Sequence, residues 1–218
     1  MPYIAAEERP ALDKRVDALA KALASEVGRR KRETEVSVCY REAFAAMGRT
    51  VRALGSGRKV HGTTEAEKLA VEIYSDSKDQ TAWLGRLNYS VTTLIQKVPK
   101  ELVARGAWKE EFRYWLYAET VGALERAALE ANEAGGGSVT DGLVGVFVDV
   151  KDEFKRRVNS AYEAVQIAKS GDCYTTPYRT ELTEVNDAKG RLVGYQEVMK
   201  DFRQGATAAQ TGGRRRRG

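Results

Sequence analysis

Val36-Ser37-Val38-Cys39-Tyr40-Arg41-Glu42-Ala43-Phe44-Ala45-Ala46-Met47-Gly48-Arg49-Thr50-Val51-Arg52-Ala53-Leu54-Gly55 is the stretch that decides the fold. Val36, Tyr40, Phe44, Met47, Val51 and Leu54 recur at spacings of three and four, so on a 3.6-residue helix they make one apolar stripe with polar residues outside it. Gly55 can take the left-handed conformation that closes a helix.

The same periodicity runs outward in both directions. Upstream, Pro10 suits a first helical turn, and Leu12, Val16, Leu19, Leu23 and Val27 form a stripe that should pair with the first as a helical hairpin. Arg29-Arg30-Lys31-Arg32 at its end complements the negative end of the helix dipole. Downstream, Thr64 and Glu67 make a capping-box pair before Leu69, Ala70 and Ile73, in a short helix that fails around Ser75-Asp76-Ser77. Trp83, Leu87, Val91, Leu94 and Val98 mark the next helix, which Pro99 is expected to stop.

From Trp108 to Glu133 the stripe is Phe112, Trp115, Leu116, Val121, Leu124, Ala128 and Leu129, and it breaks at Ala134-Gly135-Gly136-Gly137. Asp141 is the expected cap of the longest helix, which carries Val144, Phe147, Val148, Val150, Phe154, Val158, Tyr162 and Val165 and closes at Gly171. The aromatic residues read as core. Val121-Gly122-Ala123-Leu124-Glu125 and Val144-Gly145-Val146-Phe147-Val148 echo each other, and their glycines read as points of close helix packing.

After Asp172 the pattern changes. Thr180 to Val185 and Arg191 to Val198 alternate around the turn Asn186-Asp187-Ala188-Lys189-Gly190, which reads as a β-hairpin, and Gln204 to Gly213 is small, polar and unpatterned. The expected fold is mainly α, a helical bundle over 1–173, with a small β-hairpin extension over 174–203 and a flexible, disordered Arg-rich tail over 204–218.

Composition agrees: 42% of the 218 residues are hydrophobic, 31% charged and only 8% aromatic, which suits helices with charged outer faces and disfavours sandwiches and barrels. Four of the charges behind the net +5 lie in one run, Arg214 to Arg217, so the body is close to neutral and offers no dedicated duplex-binding groove. Cys39 and Cys173 make no disulfide framework, which points to a reducing compartment. No signal peptide or membrane span is legible, so the expected location is the cytoplasm, of the host or a virion packaged from it if the chain is of phage origin.

Few residues offer chemistry. His61 is the only histidine and lies in a Gly-rich polar loop, so neither an ordinary zinc site nor a catalytic triad can be assembled. Gly55-Ser56-Gly57-Arg58-Lys59 lacks the Walker spacing and a preceding strand, and reads as a plain loop. Glu130 with Glu133, and Asp149 with Asp152, are spaced one turn apart on neighbouring helices. All-helical nucleotide pyrophosphatases hold magnesium with such pairs, and solvated helix faces also carry them. Arg156 and Arg157 could clamp a phosphate or carboxylate, or pair with Glu153 or Glu163 on their own helix. Arg214, Arg215, Arg216 and Arg217 on a tether repel one another unless an anion meets them; the other reading is a solubilising end.

The opening Met1-Pro2-Tyr3-Ile4, Leu87-Asn88-Tyr89 followed by Val91-Thr92-Thr93-Leu94, Val121-Gly122-Ala123-Leu124-Glu125, then Arg156-Arg157, Tyr162-Glu163 and Gly171-Asp172 together resemble a family of short bacterial and phage proteins of uncharacterised function. The resemblance implies phage or bacterial origin and no activity. This chain is longer and adds a helical hairpin, a Gly-rich break, the β-hairpin and the tail.

The expected function is that of a non-enzymatic interaction protein, a virion or accessory component that assembles as a homo-oligomer or within a larger complex. Its Arg214 to Arg217 tail, with Arg156 and Arg157, would bind nucleic acid or an acidic protein surface without a cofactor. The alternative is a magnesium-dependent nucleotide hydrolase or nucleotide-binding protein using Glu130, Glu133, Asp149 and Asp152.

Overall fold

In the computed structural model the stripe that begins at Val36 lies at the centre of the helical unit: Val36, Tyr40, Phe44, Met47 and Val51 are all buried, and only Leu54 near the helix end is partly exposed. The structure describes residues 4–30, 35–75, 82–109, 114–160, 162, 178–186 and 192–201. They fall into two compact units, residues 1–163 and 164–218.

The first unit is mainly α. After a 3-10 turn at Ala6–Glu8 come α1 (Arg9–Arg30), α2 (Glu35–Gly55), α3 (Glu65–Ser75), α4 (Ala82–Ala104), α5 (Tyr114–Glu133) and α6 (Ser138–Phe154), the last continuing into a wider π turn at Lys155–Asn159. Packing follows a ring: α1 lies on α4, α4 on α6, α6 on α5, α5 on α2 and α2 on α1, while α3 bridges α1, α2 and α4. The expected α1–α2 hairpin is thus the weaker side of a larger arrangement, because α1 makes its broadest contact with α4 and α2 with α5.

Inside the ring, Tyr40 stacks on Phe44 with centroids 5.6 Å apart, and Phe44 meets Phe147 of α6 at 5.7 Å. Leu69, Ile73, Leu87, Leu94, Leu124 and Leu143 fill the space around them. Each such side chain fully removed from water contributes about 1.5–3 kcal/mol. Burial of the Tyr40 phenol pushes its pKa up, as a dry aromatic centre requires.

Several element ends differ from the sequence reading. Pro99 does not stop α4: it lies inside the helix, buried in the same interface as Ile95, Val98 and Leu102. An interior proline costs ~3 kcal/mol by removing a donor and crowding the preceding turn, and the apolar burial on both sides offsets that. Gly106 is the true stop. It has φ +68°, its N–H donates to the Val103 carbonyl at 2.9 Å and the Ala107 N–H to the Leu102 carbonyl at 2.9 Å, a Schellman closure.

The same closure ends α2 at Gly57 (φ +79°), two residues beyond Gly55, with Gly57 N–H on Leu54 and Arg58 N–H on Ala53. Gly55 is needed for space instead, since a Cβ there would stand 2.8 Å from Val139 Cγ2. Asp141 is not the cap of α6; the cap residue is Gly137, to whose carbonyl the Asp141 N–H donates at 3.0 Å. Trp108 precedes α5 and packs edge-on to Trp115 at 5.4 Å. The longest described helix is α4, while Phe112, Val165 and Gly171 lie outside the described residues.

The echo glycines Gly122 and Gly145 do not mark close packing, for a Cβ at either would meet nothing within 4 Å. Gly142 does, facing Leu84 and Trp83 of α4, and so does Gly62, whose Cβ would sit 2.5 Å from the Lys68 nitrogen. That approach seats the loop on the start of α3, where the expected capping box forms. Thr64 N–H donates to Glu67 Oε2 at 3.0 Å and Glu67 N–H donates to Thr64 Oγ1 at 3.2 Å. The Thr63 hydroxyl and N–H add donors at 2.6 and 2.9 Å. Led by the Thr63 hydroxyl, these donors pull the Glu67 carboxyl down to about 2.

Two outcomes follow for stability. Gly62→Ala forces backbone against backbone and should lower unfolding free energy by about 1–3 kcal/mol, whereas Gly145→Ala should raise it by about 0.5–1 kcal/mol; urea unfolding of the two variants checks both signs. Because the Glu67 pKa is depressed, its contribution is complete above the ordinary value of 4.5 and is lost as pH falls toward 2. Glu67→Gln should therefore flatten the loss of thermal stability between those pH values, and an unchanged acid limb would show that the cap contributes nothing there.

Candidate functional surface

The residues singled out from the sequence do not converge on one site. On the antiparallel α5–α6 pair, Lys151 lies across from Glu125 at 3.8 Å and Phe154 stacks on Tyr117 at 5.5 Å. Glu130 and Glu133 therefore sit near the Gly-rich link, while Asp149 and Asp152 sit toward the far end of α6. At 1.5 Å per residue the two pairs are roughly 12 Å apart along the helices. Glu130 pairs with Arg126 at 3.1 Å and Asp152 with Lys151 at 3.4 Å. Among the described residues no three acidic, histidine or cysteine side chains gather to hold a metal ion. The shared antiparallel link that suggested a common ion is what separates the pairs.

Arg156 and Arg157 both turn back onto Glu153. Arg156 donates from Nε at 2.8 Å and from a terminal nitrogen at 2.6 Å, and Arg157 donates from Nε to the same carboxylate. Their hydrogen bonds, Arg156's first, pull the Glu153 carboxyl down to about 2, so the cluster holds two cations on one anion throughout the neutral range. Both guanidinium groups remain exposed. His61 is exposed on its loop, Cys39 is buried, and Cys173 and Arg214 to Arg217 lie outside the described residues.

Two features of the surface were not singled out from the sequence. Between α5 and α6 lies an apolar cleft of about 490 Å³ lined by Leu124, Leu129, Val144 and Val148, with Glu125 and Lys151 at its rim. Leu129, expected in the core stripe, is 52% exposed there.

The other feature is basic. Along the α2–α5 seam one cleft of about 420 Å³ is lined by Ser37, Arg41, Glu119, Gly122 and Arg126. Nearby on the same seam a cleft of about 100 Å³ is lined by Gly48, Arg49, Arg52, Ala127 and Glu130. Arg41, Arg49 and Arg52 form no ion pair among the described residues. Burial, then the neighbouring Arg49 charge, hold the Arg52 pKa below its ordinary value, with Glu130 acting the other way. The sequence does carry a signal: positions 41, 49 and 52 follow helical spacing beside the apolar stripe.

A polar seam also ties the 3-10 turn and α1 to α4. Arg86 donates to Glu8 at 3.0 Å, the Tyr89 hydroxyl to Asp13 at 2.9 Å and Lys97 to Asp17 at 2.5 Å, while Arg9 lies 5.7 Å above the Tyr89 ring. Asn88-Tyr89 is therefore part of a helix-pairing seam. No helix among the described residues is long and apolar enough to cross a membrane.

Comparison with known proteins gives a single result. No curated protein and no solved structure matches the chain. A family model does, over residues 1–173, which includes the whole helical ring, so the chain belongs to the DUF6899 family, a domain of unknown function.

Proposed function

We propose that this chain is a non-enzymatic helical interaction protein of a phage or bacterium, a virion or accessory component. Its Arg214 to Arg217 end binds nucleic acid or an acidic partner surface in the cytoplasm or virion. The observation that carries the reading is the placement of charge: those four arginines account for all but one of the formal net charges of +5. A like-charged run of this kind is held together only by an opposing anion, and its binding falls steeply with salt.

Between the helical domain and the tail in sequence, the segments Tyr178–Asn186 and Leu192–Asp201 pair antiparallel, Thr180 opposite Met199 and Leu182 opposite Glu197. In this reading 174–203 is a β-hairpin extension, as the alternation of Thr180 to Val185 and Arg191 to Val198 suggests. A two-stranded hairpin is marginal alone, which favours its use as an assembly element in a homo-oligomer or larger complex. Arg156 and Arg157 supplement the tail only when an anion competes with Glu153.

The test is binding of the full chain and of a version ending at Arg203 to labelled single- and double-stranded DNA and RNA across a salt series. Removing the four arginines should flatten the logarithmic salt slope by about three and weaken binding sharply. Unchanged binding overturns the tail's role. Glu153→Gln should strengthen binding by freeing the two arginines, and no change removes Arg156 and Arg157 from the anion-binding set.

A further inference from the structure

The α2–α5 seam gathers cations that the fold itself does not use. Arg49 and Arg52, one turn apart, line the same small cleft, and Arg41 lies two turns earlier on the same helix, opposite Arg126 of α5. Only Arg126 has an ion-pair partner among the described residues, Glu130 at 3.1 Å. Arg15 and Arg86, by contrast, are matched across interfaces, by Glu72 at 2.6 Å and by Glu8 at 3.0 Å.

Arg49 and Arg52 repel each other at a part-buried cleft where Glu130 offsets only part of what opposes the Arg52 charge, and an entering anion relieves the rest. The seam is also open at Gly122, which is exposed and has nothing within 4 Å of its Cβ position. Arginine forks match phosphate oxygens in a way that few other side chains do.

We propose that this seam is a second anion site that cradles the phosphodiester backbone of a single nucleic-acid strand, with Arg41, Arg49 and Arg52 of α2 and Arg126 of α5 as its donors. This rests on the nucleic-acid reading of the tail and extends it to the family domain. Arg41 and Arg49 are separated by about 12 Å of helix, the length of three or four stacked nucleotides at ~3.4 Å each. Glu119 and Glu130 on the same seam oppose the denser phosphate array of a duplex. Contact through the backbone makes the site indifferent to sequence. The tail delivers a strand by long-range attraction, and the seam fixes it.

The experiment uses the full chain and a labelled oligothymidylate of about twenty nucleotides across a salt series. Four forms are compared: the native chain, R49Q/R52Q, K14Q/K21Q, and a full-length form with Arg214 to Arg217 replaced by glutamine. The K14Q/K21Q form removes the same charge from exposed positions of α1. R49Q/R52Q should weaken binding about tenfold and flatten the salt slope by about 1.4, while K14Q/K21Q leaves both close to native.

The tail-neutral form should retain binding that R49Q/R52Q then abolishes. Melting of R49Q/R52Q should occur no lower than native, because the burial and the Arg49 repulsion that oppose the Arg52 charge outweigh the attraction of Glu130. Equal effects of R49Q/R52Q and K14Q/K21Q overturn the seam. Loss of all binding in the tail-neutral form overturns the seam and leaves the tail reading standing. Seam dependence without tail dependence does the reverse, and no binding by the native chain overturns both.

Discussion

Everything in the helical unit is arranged around the contact of Tyr40, Phe44 and Phe147. Tyr40 and Phe44 lie one turn apart on α2 and stack in near-parallel planes, and Phe147 of α6 meets Phe44. With all three rings buried, α2 crosses the middle of the helical unit, and the remaining helices take positions that cover it. The polar seam between α1 and α4 then adds directionality where the apolar stripes alone would permit sliding.

Helix existence was legible because it depends on a local quantity, the spacing of apolar residues, that every stripe from Leu12 to Phe154 displays. Thr64 and Glu67 were legible for a similar reason, the capping box being closed within four residues. What could not be read were outcomes decided by partners distant in sequence. Pro99 reads as a stop until Ile95, Val98 and Leu102 are seen buried around it, and Gly122 and Gly145 read as contact points although Gly142 and Gly55 hold that role. Leu129 has the spacing of a core residue and yet lines a cleft between α5 and α6 that none of the other described helices lines.

Charge was harder still. Arg156 and Arg157 next to Glu153 illustrate a partly offset local cluster, two cations sharing one carboxylate while it stays ionised. Arg41, Arg49 and Arg52 are spread among apolar residues and draw no attention as a run, but the packing of α5 against α2 collects them. The acidic pairs show the converse, in that identical spacing on two adjacent helices does not bring them level. Their distances from the link between the helices differ, and an antiparallel pair only superimposes positions equidistant from its turn.

The ring closes through elements far apart in the chain. Lys97 reaches Asp17 across eighty positions, Tyr89 reaches Asp13 across seventy-six, and Arg15 of α1 holds Glu72 of α3 across fifty-seven. A bundle of simple up-and-down hairpins could condense as each pair is synthesised. Here α1 meets α2 and α3 earlier but gains its broadest docking surface only when the chain has grown past α4, so one face of the first helix stays uncovered while about seventy further residues are added. The topology therefore makes assembly of the unit late and concerted, with the N-terminal helix as the segment most in need of protection from premature association.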